Sequence, residues 1–211
     1  MDTKKFLIID DHEALRSGVK YLLLDLFKPC DVFEAFDEQS AVQQLKERSY
    51  QLIIMDVQMP DLNSIGLMEH IKTNYEDSRV LIFSMSAEKV YAKKFLKAGA
   101  KGYISKSAGL SELEKAIEII LLGRKYISES LAEHLAVDLV KGKGDNPFEK
   151  LSSREFEIAI LLTIGKTVTV ISKMLSINTS TVGTHKSRIF EKLGVNNLVE
   201  LVEIAKAYDV H

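Results

Sequence analysis

The chain is predicted to fold as an α/β doubly wound five-stranded parallel sheet followed by a small all-α domain, and three features predict it. Short apolar runs alternate with amphipathic helical patterns over residues 1–125, which is how strands joined by crossover helices read. A small, charged, glycine-containing stretch at 141–147, ending in Asn146-Pro147, then breaks the pattern. Beyond it only helical periodicity remains. A length of 211 residues suits two domains with separate cores.

Strands are expected at 5–9, 31–35, 52–55, 80–83 and 102–104, because each is a compact apolar run between polar or turn-forming residues. Helices are expected at 13–26, 38–48, 67–74, 87–98 and 111–122. Gly99 and Gly123 mark helix ends, and Ser111 with Glu114 three residues on has the capping-box spacing. A helical pattern continues over 126–140 into the 141–147 break, which makes 126–147 a linker. Four short helices follow, at 153–163, 168–175, 180–193 and 197–208, with Gly165, Asn178 and Gly194 between them. Asn178 is expected to cap the third of these with its side chain.

The strand ends carry the chemistry. Asp10 and Asp11 close the first strand, Asp56 the third, Ser84 the fourth, and Lys106 follows the fifth. In an open parallel sheet these carboxyl ends share one edge, where ligands bind. Carboxylates gathered there repel one another and favour a hard divalent cation held by oxygens, while an ammonium and a hydroxyl hold phosphate oxygens. The set predicts a Mg²⁺-assisted phosphoryl site. Asp56 ends the most apolar strand, so it is expected to be the least solvated carboxylate and the nucleophile, forming an acyl phosphate. Asp11, with Asp10 behind it, shares the cation with Asp56 in this reading. A single acid at a strand end is as often only a helix N-cap; the combination of five residues argues for function.

Composition narrows the classes further. No apolar stretch reaches the ~20 residues of a membrane span, and Lys4-Lys5 before a short apolar run is not a signal peptide. A cytoplasmic protein with no membrane partner is expected. Cys30, the only cysteine, reads as an ordinary thiol. The net charge of −2 names no partner, but the acid excess lies in the part before Phe148.

The blocks Asp10-Asp11-His12, Met55-Asp56-Val57-Gln58-Met59-Pro60, Phe83-Ser84-Met85-Ser86 and Lys101-Gly102-Tyr103-Ile104-Ser105-Lys106 occur in this order. They resemble the receiver domain of a two-component response regulator of the NarL/FixJ type. That resemblance implies a flavodoxin-like receiver in which Asp56 takes phosphate from a sensor histidine kinase. It also implies Mg²⁺ bound by Asp11, Asp56 and the Gln58 carbonyl, with Asp10 acting through water, and Ser84 and Tyr103 as a switch pair. His12 is assigned no catalysis. The chain departs from the family at Ser64, where a glycine is usual, although Gly66 lies two residues on.

The segment from Leu151-Ser152-Ser153-Arg154-Glu155 through Thr181-Val182-Gly183-Thr184-His185 to Lys192-Leu193-Gly194-Val195 resembles a LuxR-type helix-turn-helix. Periodicity directs Val182, Ile189 and Leu193 inward and leaves Thr181, Thr184, His185, Ser187 and Arg188 on the outer face, with Lys186 and Lys192 nearby. Such side chains suit the major groove of DNA, with Lys166 and Lys173 as phosphate contacts. Gly183 and Val170 depart from the family pattern. The last helix carries Leu198, Val199, Leu201, Val202, Ile204 and Ala205, a dimer contact by resemblance or packing within its own module.

The expected domains are a receiver at 1–125, the linker at 126–147 and the DNA-binding domain at 148–211. The expected function is a regulator of transcription whose phosphorylation promotes homodimerisation and binding to paired half-sites in double-stranded DNA, and which is no turnover enzyme. Two rivals stand beside it. A Mg²⁺ phosphohydrolase needs a second acid beside the nucleophile, whereas residue 58 is Gln; a protein-binding adaptor is kept open by Gly183.

Overall fold

The computed structural model describes residues 3–59, 62–86, 88–141, 146–208 and 210. Its strands are β1 (Lys4–Ile9), β2 (Cys30–Ala35), β3 (Leu52–Met55), β4 (Arg79–Ser84) and β5 (Gly102–Ser105). They form one parallel sheet in the order β2-β1-β3-β4-β5. The helices of this part are α1 (Glu13–Leu26), α2 (Glu38–Glu47), α3 (Ser64–Asn74), α4 (Glu88–Ala98) and α5 (Leu110–Leu121). α1 and α5 bury Val19, Leu23, Leu113 and Ile117 against Phe6 and Ile8. α2, α3 and α4 cover the opposite face, where Ala41, Leu45, Ile65 and Phe95 join Leu7, Ile9 and Ile53. Covered on both faces, β3 is apolar and buried along its whole length.

Three local expectations need correction. α3 starts at Ser64 instead of residue 67, because Asn63 Oδ1 accepts the Gly66 N–H at 2.7 Å. A Cβ at residue 66 would lie 2.5 Å from the Asn63 side chain, so glycine there makes room for the cap. α5 starts at Leu110 and its N-cap is Gly109, at φ 85°, so Ser111 sits inside the first turn and is not the cap. A short 3₁₀ turn, Lys106–Ala108, precedes it, and leaving that turn requires a positive φ that glycine adopts at least cost. The helix expected from residue 126 is α6 (Glu129–Lys141). Tyr126 is instead pinned to the sheet, its N–H donating to the Lys101 carbonyl at 2.8 Å, and the Ser128 hydroxyl caps α6 by accepting the Leu131 N–H. Residues 142–145 of the expected linker, like Pro60 and Ala87, lie outside the described residues.

The C-terminal part consists of α7 (Ser153–Thr163), α8 (Val168–Met174), α9 (Thr179–Leu193) and α10 (Leu198–Ala207). Ser152 and Glu155 form a reciprocal capping box on α7. Asn178 occupies the N-cap position of α9, but its side chain makes no capping hydrogen bond, contrary to expectation. Val182, Ile189 and Leu193 are buried as the periodicity predicts. α10 divides its apolar residues: Leu201 and Ala205 face inward, while Leu198 and Val199 are exposed.

One apolar cluster runs from the α3–α4 face of the sheet into the C-terminal helices. Tyr91 on α4 meets Phe156 on α7 edge to face, with centroids 5.2 Å apart. Lys94 Nζ lies 4.6 Å above the Phe156 ring and donates to the Leu151 carbonyl at 2.7 Å. Burial pulls its ammonium down to about 8, with Lys97 adding repulsion. Lys93 Nζ pairs with Glu149 at 2.6 Å.

Glu157 of α7 is buried in the same joint. Its Oε2 accepts Arg154 Nη1 at 2.7 Å, whereas Oε1 is shielded from solvent without a hydrogen bond. Burial pushes this carboxyl up to about 7, against the pull of Arg154 and with help from Glu69 and Glu38. A folded-state pKa above the unfolded one means that ionisation penalises folding. That penalty is absent below about pH 4.5 and complete above about 7, so this group lowers stability as pH rises. Glu157→Gln is therefore expected to gain on the wild type by on the order of 3 kcal/mol between those limits. Urea denaturation of both proteins at about pH 5 and about pH 8 checks this; a constant difference would reject it.

Candidate functional site

Strand register brings the acids together. Ile9 is aligned with Met55, so the residues after β1 and β3 are neighbours, and the Asp56 N–H donates to the Ile9 carbonyl at 2.8 Å. Asp10 donates its own N–H to Ala35 at 3.0 Å. Ser84 and Ser105 are paired across β4 and β5, which places Lys106 one residue beyond the same edge. Lys106 Nζ lies 2.6 Å from Asp56 Oδ2 and 2.7 Å from Asp10 Oδ2, bridging two buried carboxylates.

Asp10 and Asp56 are 1% and 3% exposed, so Asp56 is not the least solvated acid. Asp10 is drawn equally deep because its Oδ1 also accepts the His12 N–H at 2.8 Å. Burial works against the charge of Lys106, but its hydrogen bonds to Asp10 and Asp56 outweigh burial and raise its pKa. Asp56 Oδ1 accepts the backbone N–H of Gln58 at 3.0 Å, tying the following loop to the carboxylate. Asp11 is half-buried; its Oδ1 is shielded, accepts no hydrogen bond, and lies 2.9 Å from His12 Nδ1.

One potential ligand atom from each of Asp10, Asp11, His12 and Asp56 lies within 4.8 Å of the others. The three carboxylates, with an unsatisfied shielded oxygen on Asp11, form a hard-oxygen set that fits a small divalent cation. His12 was given no role from sequence, yet its ring lies beside both Asp10 and Asp11. Its position one residue past the acid pair is the signal that pointed there.

Ser84 is buried, with its hydroxyl 3.4 Å from the Ser86 hydroxyl. Tyr103 is buried too and donates its hydroxyl to the Ser86 carbonyl at 2.9 Å. Burial raises the Tyr103 phenol far above its ordinary range, so it stays neutral and keeps its proton for the Ser86 carbonyl. Its ring already lies inward, against Phe95.

Residues 6–118 match the family described as response regulator receiver domain, and residues 149–205 match bacterial regulatory proteins, luxR family. The chain belongs to the response regulators. Response regulator GacA of Pseudomonas protegens is 32% identical over 201 residues, spanning 95% of this chain and 94% of that one. Response regulator UvrY of Escherichia coli K12 is 31% identical over 200 residues, spanning 94% and 92%. The fold also matches RcsB from Salmonella typhimurium at a TM-score of 0.80 with 22% identity, covering 99% of this chain and 100% of that one. A LuxR-family two-component response regulator from Aurantimonas sp. SI85-9A1 matches at a TM-score of 0.60 with 33% identity, covering 66% and 99%.

In this response regulator α9 presents Thr181, Thr184, Ser187 and Arg188 to solvent, with His185 and Lys186 half-buried. Thr184 and Ser187 return their hydroxyls to the carbonyls of Ser180 and Gly183, and Lys186 lies over the Phe190 ring. Lys173 is exposed on α8. Lys192 is held by Glu155 at 2.6 Å, and Lys166 lines the cleft towards the sheet. A Cβ at Gly183 meets nothing within 4 Å. Gly183→Ala is expected to stabilise the helical domain by about 0.5–1 kcal/mol, read as a raised urea midpoint with an unchanged slope. A lowered midpoint would show that glycine is needed there.

Among the described residues no helix is long and apolar enough to cross a membrane. Sequence reasoning missed Tyr91, Lys94, Phe156 and Glu157, whose roles arise where two separately legible units meet.

Proposed function

We propose that Asp56 accepts a phosphoryl group from a sensor histidine kinase, and that the modified receiver controls dimerisation and sequence-specific DNA binding to regulate transcription. In this reading residues 1–125 are the receiver, 126–147 the linker and 148–211 the DNA-binding domain, working in the cytoplasm. The observation that carries it is the Asp56 carboxylate, buried at a strand end with Lys106 Nζ at 2.6 Å and the Gln58 N–H on its other oxygen. Both contacts orient the carboxylate.

Asp56 attacks phosphorus, the bond to the donor nitrogen breaks, and the product is an acyl phosphate. Asp10, Asp11, Asp56 and the Gln58 carbonyl would hold Mg²⁺, which when bound would supply neutralising charge for the incoming phosphoryl group. Lys106 passes from the carboxylate to a phosphoryl oxygen, and the Ser84 hydroxyl turns to another. Tyr103 secures the inward arrangement through Ser86. The same residues assist hydrolysis, so the protein returns to its starting state without turning over a separate substrate.

Phosphorylation then shifts a population between packed and separated domains, by no more than its differential interaction with the two. Thr181, Thr184, His185, Lys186, Ser187 and Arg188 meet the major groove, and Lys173 the phosphates. Lys192 serves there only after leaving Glu155, and Lys166 only after leaving the cleft. The test is intact mass after incubation with Mg²⁺ and acetyl phosphate, wild type beside Asp56→Asn, with oligomeric state read on the same samples. One Mg²⁺-dependent adduct of about 80 Da, absent in the variant and accompanied by dimer, is expected. No adduct, or an adduct that survives in Asp56→Asn, overturns the assignment.

A further inference from the structure

The joint between the two parts of the chain encloses a cleft of about 470 Å³. That is within the range of pockets that bury a small organic ligand. Met59, Ile65 and Phe95 form one wall, and Phe156, Ile160 and Met174 the other. Among these apolar side chains lies Glu157, 7% exposed, with Oε1 shielded and unpartnered. A buried carboxylate oxygen without a donor is costly. Arg154 satisfies only Oε2, while Glu69 on α3 and Glu38 on α2 add negative potential. Lys166, which also lines the cleft, has interactions of its own.

We propose that this cleft binds a small organic cation with an apolar body, an aryl-alkyl ammonium, whose N–H donors meet Glu157 Oε1 once that side chain turns its shielded oxygen into the cleft, while the aromatic ring lies between the Met59 and Met174 walls. A neutral donor satisfies the oxygen less well, because charge-assisted hydrogen bonds are about twice as strong. An anion is repelled by Glu157, Glu69 and Glu38. Val57 and Gln58, immediately after Asp56, line the same cleft. A ligand that needs both walls favours the packed domains, and linkage makes its affinity respond to events at Asp56. Only this regulatory consequence rests on the function proposed above; the binding itself does not.

The test uses the unphosphorylated full chain with ¹³C-methyl methionine, so failure of the phosphorylation reading leaves it intact. Met59 and Met174 report on the cleft, and exposed Met85 is the control. Titration with 2-phenylethylamine is expected to shift Met59 and Met174 saturably and to leave Met85 still, with 2-phenylethanol weaker and phenylacetate weakest. Affinity should rise with pH through about 7, as Glu157 ionises among the charged groups that face it, Arg154, Glu69, Glu38 and Lys166. Glu157→Gln is expected to weaken binding about tenfold, and Ile160→Trp, which fills the cleft, to abolish it. Unmoved cleft methionines, equal binding of phenylacetate, or titrations unaffected by either variant overturn the proposal.

Discussion

Lys106→Ala is expected to cost about 3 kcal/mol of stability in the absence of divalent cations and to recover most of it when Mg²⁺ is added. The wild type buries Asp10 and Asp56 side by side with Lys106 Nζ within 2.7 Å of both. Removing one partner from a buried charge cluster leaves the remaining charges uncompensated, which typically costs 3–5 kcal/mol. Two neighbouring carboxylates without their ammonium also repel. A bound cation replaces the missing charge, and a ligand at about 100 times its dissociation constant restores about 2.7 kcal/mol. Wild type should gain less from Mg²⁺ because its acids are already half neutralised. Urea denaturation of both proteins, with and without excess Mg²⁺, decides it. Equal midpoints in cation-free buffer, or a Mg²⁺ response identical in both proteins, would show that Lys106 does not balance the acids.

Phe156→Ala is expected to lower stability by about 3–5 kcal/mol and to uncouple the helical domain from the sheet. The ring is fully buried and is shared by two units: Tyr91 approaches from α4, Phe148 from the segment before α7, and Lys94 from above. Its loss opens a cavity that neither unit can close alone, and removes the ring beneath the half-buried Lys94 ammonium. Far-UV circular dichroism should split into an early loss of helix and a later transition of the α/β part. Combining Phe156→Ala with Tyr91→Ala should give a coupling of about 0.5–1.5 kcal/mol for the ring pair. Simple additivity would show that the Tyr91–Phe156 ring pair contributes nothing measurable.

Much of the receiver could be read along the chain. β3 announced itself because a strand covered on both faces must be apolar throughout, as Leu52, Ile53, Ile54 and Met55 are. Asp10, Asp56, Ser84 and Lys106 were placed together because parallel strands share one edge, and register then delivered the contacts. The misread details were those set by competition between neighbours. Ser111 has the chemistry of a cap, but Gly109 takes the position because the chain must reverse there at positive φ. Asn178 stands at the right place yet leaves its α9 amides uncapped. Lys192 is expected near the DNA-facing side of α9, and the fold adds a pairing that periodicity does not encode, with Glu155 of the α7 capping box at 2.6 Å.

Sequence alone determined the order of elements, the five-stranded parallel sheet, the acids at its edge and the exposed polar face of α9. These follow from periodicity, strand-end position and capping chemistry, all local properties. Only the tertiary structure decided that Lys106 is shared between Asp10 and Asp56, that Tyr103 already points inward, and that α4 and α7 join through Tyr91, Lys94 and Phe156. Those contacts link residues as far as 96 positions apart, as Asp10 and Lys106 are. No periodic pattern encodes such a pairing, because it depends on which faces remain apolar once each unit has folded.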